Sequence, residues 1–153
     1  MEKSKLILRL KKFYLLEVYQ VDLYSSQVES VDDIHLKRSY ERKALIEQEH
    51  VDYFLKKIRE FGSDVSPLTD SSFAAAGFLT GKAVSIMGLE ERYKLGMATE
   101  GKAISMYFDF IRDTSQDPEL NELNKQLWYF MVDEEHHQFW FKERLARLSL
   151  SAH

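Results

Sequence analysis

LIEQEHVDYF, Leu45 to Phe54, decides how this chain is read. It sets Glu47 and His50 three residues apart inside a run whose apolar members Tyr40, Ala44, Val51, Phe54, Ile58 and Phe61 recur at helical spacing. The i, i+3 separation puts carboxylate and imidazole on one helix face, able to reach a common ion. A charged Glu in the middle of an apolar stripe is costly unless it is paired or bound to a cation. A lone Glu-x-x-His is more often part of a solvated face, so the reading depends on what the rest of the chain supplies.

Working outward, the periodicity predicts a helix from about Asp33 to Phe61. Ser30-Val31-Asp32-Asp33 offers N-cap side chains before it, and Gly62 is placed to end it. Upstream, a first helix runs from about Lys3 to Glu29 on the stripe Leu6, Leu10, Phe13, Tyr14, Val21, Tyr24 and Val28, with Glu17 in its centre. Downstream, a third bundle helix runs from about Leu89 to Arg112, and Glu100 interrupts its face of Leu89, Tyr93, Met97, Ile104, Tyr107 and Ile111. Asp117-Pro118 opens a fourth, by N-cap Asp and N1 Pro, which continues to about Leu148; Ser149 to His153 are expected to fray. Ser63 to Ser71 reads as a linker. Phe73 to Met87, FAAAGFLTGKAVSIM, reads as a short extra helix in the crossover between the second and third bundle helices, chiefly as a buried element, alternatively as one lying on an apolar surface.

The expected architecture is therefore all-α: one domain, 1–153, folded as a ferritin-like antiparallel four-helix bundle. Each bundle helix carries one Glu inside its apolar face: Glu17, Glu47, Glu100 and Glu134. Two of the four are followed three residues later by His, as Glu47/His50 and Glu134/His137. A Glu from each of two helices and Glu-x-x-His from each of the other two is the ligand pattern of dimetal-carboxylate bundles. Carboxylates bridge and neutralise two cations, and imidazoles complete the shells while leaving a position open. Two iron ions are the expected cofactor, and manganese accepts the same donors.

The fourth helix holds two overlapping frames, because Asp133-Glu134-Glu135-His136-His137 also contains Asp133/His136. A weak internal repeat, LIEQEHVDYF against MVDEEHHQFW (Met131 to Trp140), aligns His136 with His50 and favours that second frame. The apolar face favours Glu134/His137, which is flanked by Leu127, Phe130, Met131, Phe141, Leu145 and Leu148. The Asp133 frame instead meets Arg144 and Arg147.

Composition narrows the rest. Gly and Pro number six and two, which suits long helices and short connections. The net charge is −4 with both signs mixed, so nucleic acid has no basic footprint to bind. No cysteine is present, which excludes disulfides, thiolate zinc sites and an internal rubredoxin-like centre. Neither a secretory h-region nor a stretch of about 20 apolar residues occurs, so a cytoplasmic protein is expected.

With these residues in hand, the chain resembles the ferritin-like diiron superfamily, and within it the demethoxyubiquinone hydroxylases of quinone biosynthesis. The resemblance runs from about residue 10 to residue 141. EVYQVDLYSSQ, Glu17 to Gln27, looks like that family's first-helix motif, with Tyr24 and Gln27 at its offsets. QEHVDYFLKKI carries Glu47 and His50. AAGFLTGKAVSIMGLEERYKLGMATEGKAISMYF is similar to its membrane-associated small-residue helix followed by the ligand Glu, here Glu100. DEEHH is the last match. Leu16 and Val18 stand where the family usually has Gly, Gly101 stands where it has a second Glu, and a further C-terminal helix is not seen.

The resemblance implies a diiron oxidoreductase of hydroxylase type that uses dioxygen and an external electron donor on a small apolar substrate, a quinone among the candidates. Tyr24, Tyr107 and Phe54 are candidates to line its channel, with core packing the plainer role. Phe73 to Met87 is the candidate channel mouth and peripheral membrane contact. A homodimer is compatible. A rubrerythrin-like peroxidase or oxidase and a ferritin-like iron-binding protein are the alternative functions.

Overall fold

The computed structural model describes residues 1–151; Ala152 and His153, and with them the end of the expected frayed tail, lie outside the described residues. The expected all-α class holds, with no strand among the described residues. The helices are α1 (Lys3–Val28), α2 (Ile34–Glu60), α3 (Pro67–Ser85), α4 (Leu89–Thr114) and α5 (Asn121–Ser151), with a 3-10 turn at Pro118–Leu120. They form two compact units, Glu2–Ile86 and the segment from Met87 onward together with Met1.

In the first unit α1 and α2 run antiparallel, Phe13 stacking on Phe54 at 5.4 Å and Tyr24 meeting Tyr40 at 6.3 Å. The cap residues act as expected: Asp33 Oδ1 accepts from the Leu36 amide at 2.8 Å. Gly62 takes φ 77°, where a side chain would be strained. Its amide donates to the Arg59 carbonyl and the Ser63 amide to that of Ile58, so two carbonyls at the end of α2 are satisfied in a Schellman arrangement.

Helix α3 departs from expectation in extent and burial. It begins at Pro67 rather than Phe73, because Ser66-Pro67 supplies an extended residue and an N1 proline where a linker was expected. It is not a buried crossover helix. Only Gly77, Gly81 and Val84 are buried, whereas Leu68, Phe78, Leu79 and Ile86 are exposed. The three buried residues, at i, i+4 and i+7, make one narrow stripe against α1. A Cβ on Gly77 would sit 2.5 Å from the Tyr19 carbonyl oxygen, and one on Gly81 would collide with Ser26. Glycine thus lets the two backbones approach closely. Tyr14 donates to Asp70 Oδ1 at 2.7 Å at one end of the seam, and Gln27 Nε2 donates to the Gly81 carbonyl at 3.0 Å nearer the other.

In the second unit α4 and α5 run antiparallel. Tyr93 packs edge-on to Trp140 at 5.8 Å, Tyr107 meets Phe130 at 6.3 Å, and Asn124 Nδ2 donates to the Ile111 carbonyl at 2.7 Å. Asp117 caps as expected, accepting from the Glu119 amide at 3.2 Å, but Pro118 starts the 3-10 turn and the α-helix follows from Asn121. Gly96 lies against the ring of Phe141, where a Cβ would collide with it.

Candidate metal-binding residues

Each unit brings three candidate residues together. On α1, Glu17 takes its place in a buried face that includes Phe13, Gln20 and Tyr24. On α2, Glu47 and His50 share the face of Tyr40, Phe54 and Ile58. His50 Nδ1 lies 3.2 Å from Glu47 Oε2 and 3.5 Å from Glu17 Oε2. In the second unit, Glu100 on α4 and Glu134 and His137 on α5 repeat the set, with His137 Nδ1 3.7 Å from Glu100 Oε1 and 3.9 Å from Glu134 Oε2. Within each triad the three residues offer ligand atoms that all lie within 4.8 Å of one another.

Burial makes the triads chemically informative. The four carboxylates are fully buried, and His50 and His137 are 1% and 4% exposed. Ionised carboxylates removed from water demand a compensating charge. Oxygen donors mixed with imidazole suit iron or manganese, and two carboxylates per triad match the charge of one divalent ion. The donor set therefore fits a diiron centre.

The other frame of the fourth helix is placed differently: Asp133 is half-buried and His136 is exposed. Arg144 and Arg147, which that frame would have turned inward, lie at the surface, Arg144 over the ring of Trp140 at 5.2 Å and Arg147 exposed. Tyr24, Tyr107 and Phe54 are all buried in helix-pair packing.

Buried polar residues beside the candidate ligands escaped the sequence reading. Gln20 is fully buried and lies three residues after Glu17, and Lys43 is 5% exposed and lies four residues before Glu47. Both share the candidate-ligand face of their helix, and that spacing was the signal available. The apolar stripe of α1 was correspondingly misassigned: Val21 and Val28 are half-buried, and Gln20 and Gln27 take the inner positions.

No helix among the described residues is long and apolar enough to cross a membrane. No curated protein matches the chain. A family model described as ubiquinone biosynthesis protein COQ7 matches residues 17–148, a span that starts at Glu17 and includes all six candidate residues. The chain belongs to the COQ7 family, the ferritin-like diiron hydroxylases of ubiquinone biosynthesis, and it is an oxidoreductase of that hydroxylase type.

Proposed function

We propose that Glu17, Glu47, His50, Glu100, Glu134 and His137 hold two iron ions, and that residues 1–153 are a single domain. The observation that carries this is their matched composition: two fully buried carboxylates and one buried imidazole in each triad. Four carboxylates balance two divalent ions, which gives a physical reason for burying so many acids. The burial of Glu134 and His137 favours them over Asp133 and His136.

Bound iron would supply the reduction of dioxygen that hydroxylation requires. The chain's own residues hold the donors in place and keep water away. Phe13 and Phe54, each four residues from Glu17 or His50, are buried and stack on each other, and Phe130 and Phe141, four residues before Glu134 and four after His137, are buried on the same helix. Electrons come from an external donor, since this chain has no cysteine to hold a redox cluster.

The proposed substrate is a demethoxylated quinone reached from a membrane surface. Helix α3 supports this: Phe78, Leu79, Ile86 and Met87 are exposed, Lys82 lies over the Phe78 ring at 5.3 Å, and no acid interrupts Phe73 to Met87. An apolar face with one cation suits the interface of an anionic bilayer. Leu79→Glu is expected to abolish co-sedimentation with anionic vesicles while leaving iron content intact.

The deciding experiment is anaerobic iron titration followed by aerobic turnover of a demethoxyquinone analogue with a chemical reductant. Two ions per chain and one hydroxylated product are expected. One ion or none defeats the dimetal assignment. Two ions with oxidation by peroxide but not dioxygen defeats the hydroxylase assignment.

A further inference from the structure

Helix α5 has a second apolar face, opposite the one that carries Glu134 and His137. Trp128, Val132, Glu135, Phe139, Lys142 and Ala146 follow one another at spacings of four, three, four, three and four. That alternation is the heptad seam of a helix that packs along another helix. Trp128 is 46% exposed, Val132 40% and Phe139 62%. Glu135 and Lys142 are also exposed, and neither makes an ion pair among the described residues.

We infer that this face is where a second copy of the chain docks, with the two α5 helices antiparallel about a twofold axis level with His137. Self-complementarity is the argument. Reversing the seam about that point sets Trp128 opposite Ala146 of the second copy, the largest side chain against the smallest. It sets Val132 opposite the aliphatic stem of Lys142. Glu135 then lies about 4.5 Å along the axis from the level of the second copy's Lys142, within reach of its ammonium. A twofold interface makes every such contact twice, so one charge pair of opposite sign gives two ion pairs. A groove beside the seam is floored by Gly101 and bordered by Gln138, whose Nε2 donates to the Met97 carbonyl at 3.2 Å.

Lipid is the poorer occupant. The α5 face carries the acids Glu135 and Glu143 beside Lys142, which an anionic surface repels, whereas α3 offers Lys82 alone between Phe73 and Met87.

Sedimentation velocity on the full chain across a range of concentrations tests the inference, with circular dichroism as the control for folding. A dimer is expected. Phe139→Glu and Lys142→Glu should each weaken it at least tenfold, and Glu135→Lys combined with Lys142→Glu should restore it. A monomer at all concentrations overturns the inference. So does a dimer that none of these variants alters, since its interface then lies elsewhere. Loss of vesicle binding without a change in oligomeric state also overturns it, by assigning the face to lipid.

Discussion

The α1/α2 pair and the α4/α5 pair carry the same set of two carboxylates and one imidazole, yet they hold it differently. His50 approaches its carboxylates at 3.2 and 3.5 Å, and His137 stands off at 3.7 and 3.9 Å. Within its unit the first pair has a third helix seated on it, tied at Tyr14–Asp70 and Gln27–Gly81, whereas the described residues of the second unit include no third α-helix. Helix face alone places the candidate residues in both pairs, and the closer set is the one in the unit that carries α3.

The largest expected effect breaks the symmetry of the triads. His50→Ala and His137→Ala should each lower iron stoichiometry from two ions per chain and cut turnover by at least about a hundredfold, beyond the range typical of residues that merely support a ligand. The braced first triad should keep its ion in His137→Ala better than the second keeps its own in His50→Ala. Equal retention in the two variants, read by anaerobic titration, would remove the contrast.

Packing gives the next effect. Gly77→Ala drives a methyl into the Tyr19 carbonyl, a backbone atom that cannot swing away, and should cost about 1–3 kcal/mol in urea unfolding. Tyr14→Phe removes one hydrogen bond from the α1–α3 seam and should cost about 1 kcal/mol. Burial, then the hydrogen bond that its hydroxyl donates to the neighbouring Asp70, pushes the Tyr14 phenol well above its ordinary range. A raised phenol favours the folded state while the unfolded tyrosine is still protonated. That contribution is whole below about pH 10 and is lost as pH rises from there towards the folded value. Wild type should therefore lose stability through that alkaline window by more than Tyr14→Phe does.

The smallest effect falls in the other unit. Gly101→Ala meets only the mobile amide end of Gln138, at 2.7 Å. The helix preference for Ala over Gly, about 1 kcal/mol, should offset that contact and leave stability nearly unchanged. A loss as large as that of Gly77→Ala would show that the α4/α5 pair is packed as tightly as α1/α3.

Much of this was legible in the sequence, for reasons that differ by element. Glu17, Glu47, His50, Glu100, Glu134 and His137 could be placed on buried faces because a period of 3.6 residues is set by backbone geometry. Asp33 and Gly62 marked the ends of α2 because caps are local chemistry. Helix α3 was misjudged, because Gly77 and Gly81 look like a buried small-residue helix whether one face or every face is covered. Gln20 and Lys43 were passed over because polar residues at inner positions are recognisable only once their neighbours are known. The α5 seam was hidden by the stronger signal of the opposite face.

The two frames of α5 also bear on how the protein reaches its native state. Asp133/His136 and Glu134/His137 sit one residue apart, a rotation of about 100° around the helix. An unfolded chain offers both frames to a free cation, and a helix pinned early by the wrong one would turn Arg144 and Arg147 inward. Leu127, Phe130, Met131 and Phe141 are the apolar side that tells the frames apart, so packing of that side selects the frame that a cation alone would not. Refolding with iron present from the start is therefore expected to be slower than refolding followed by iron addition, with circular dichroism as the measurement.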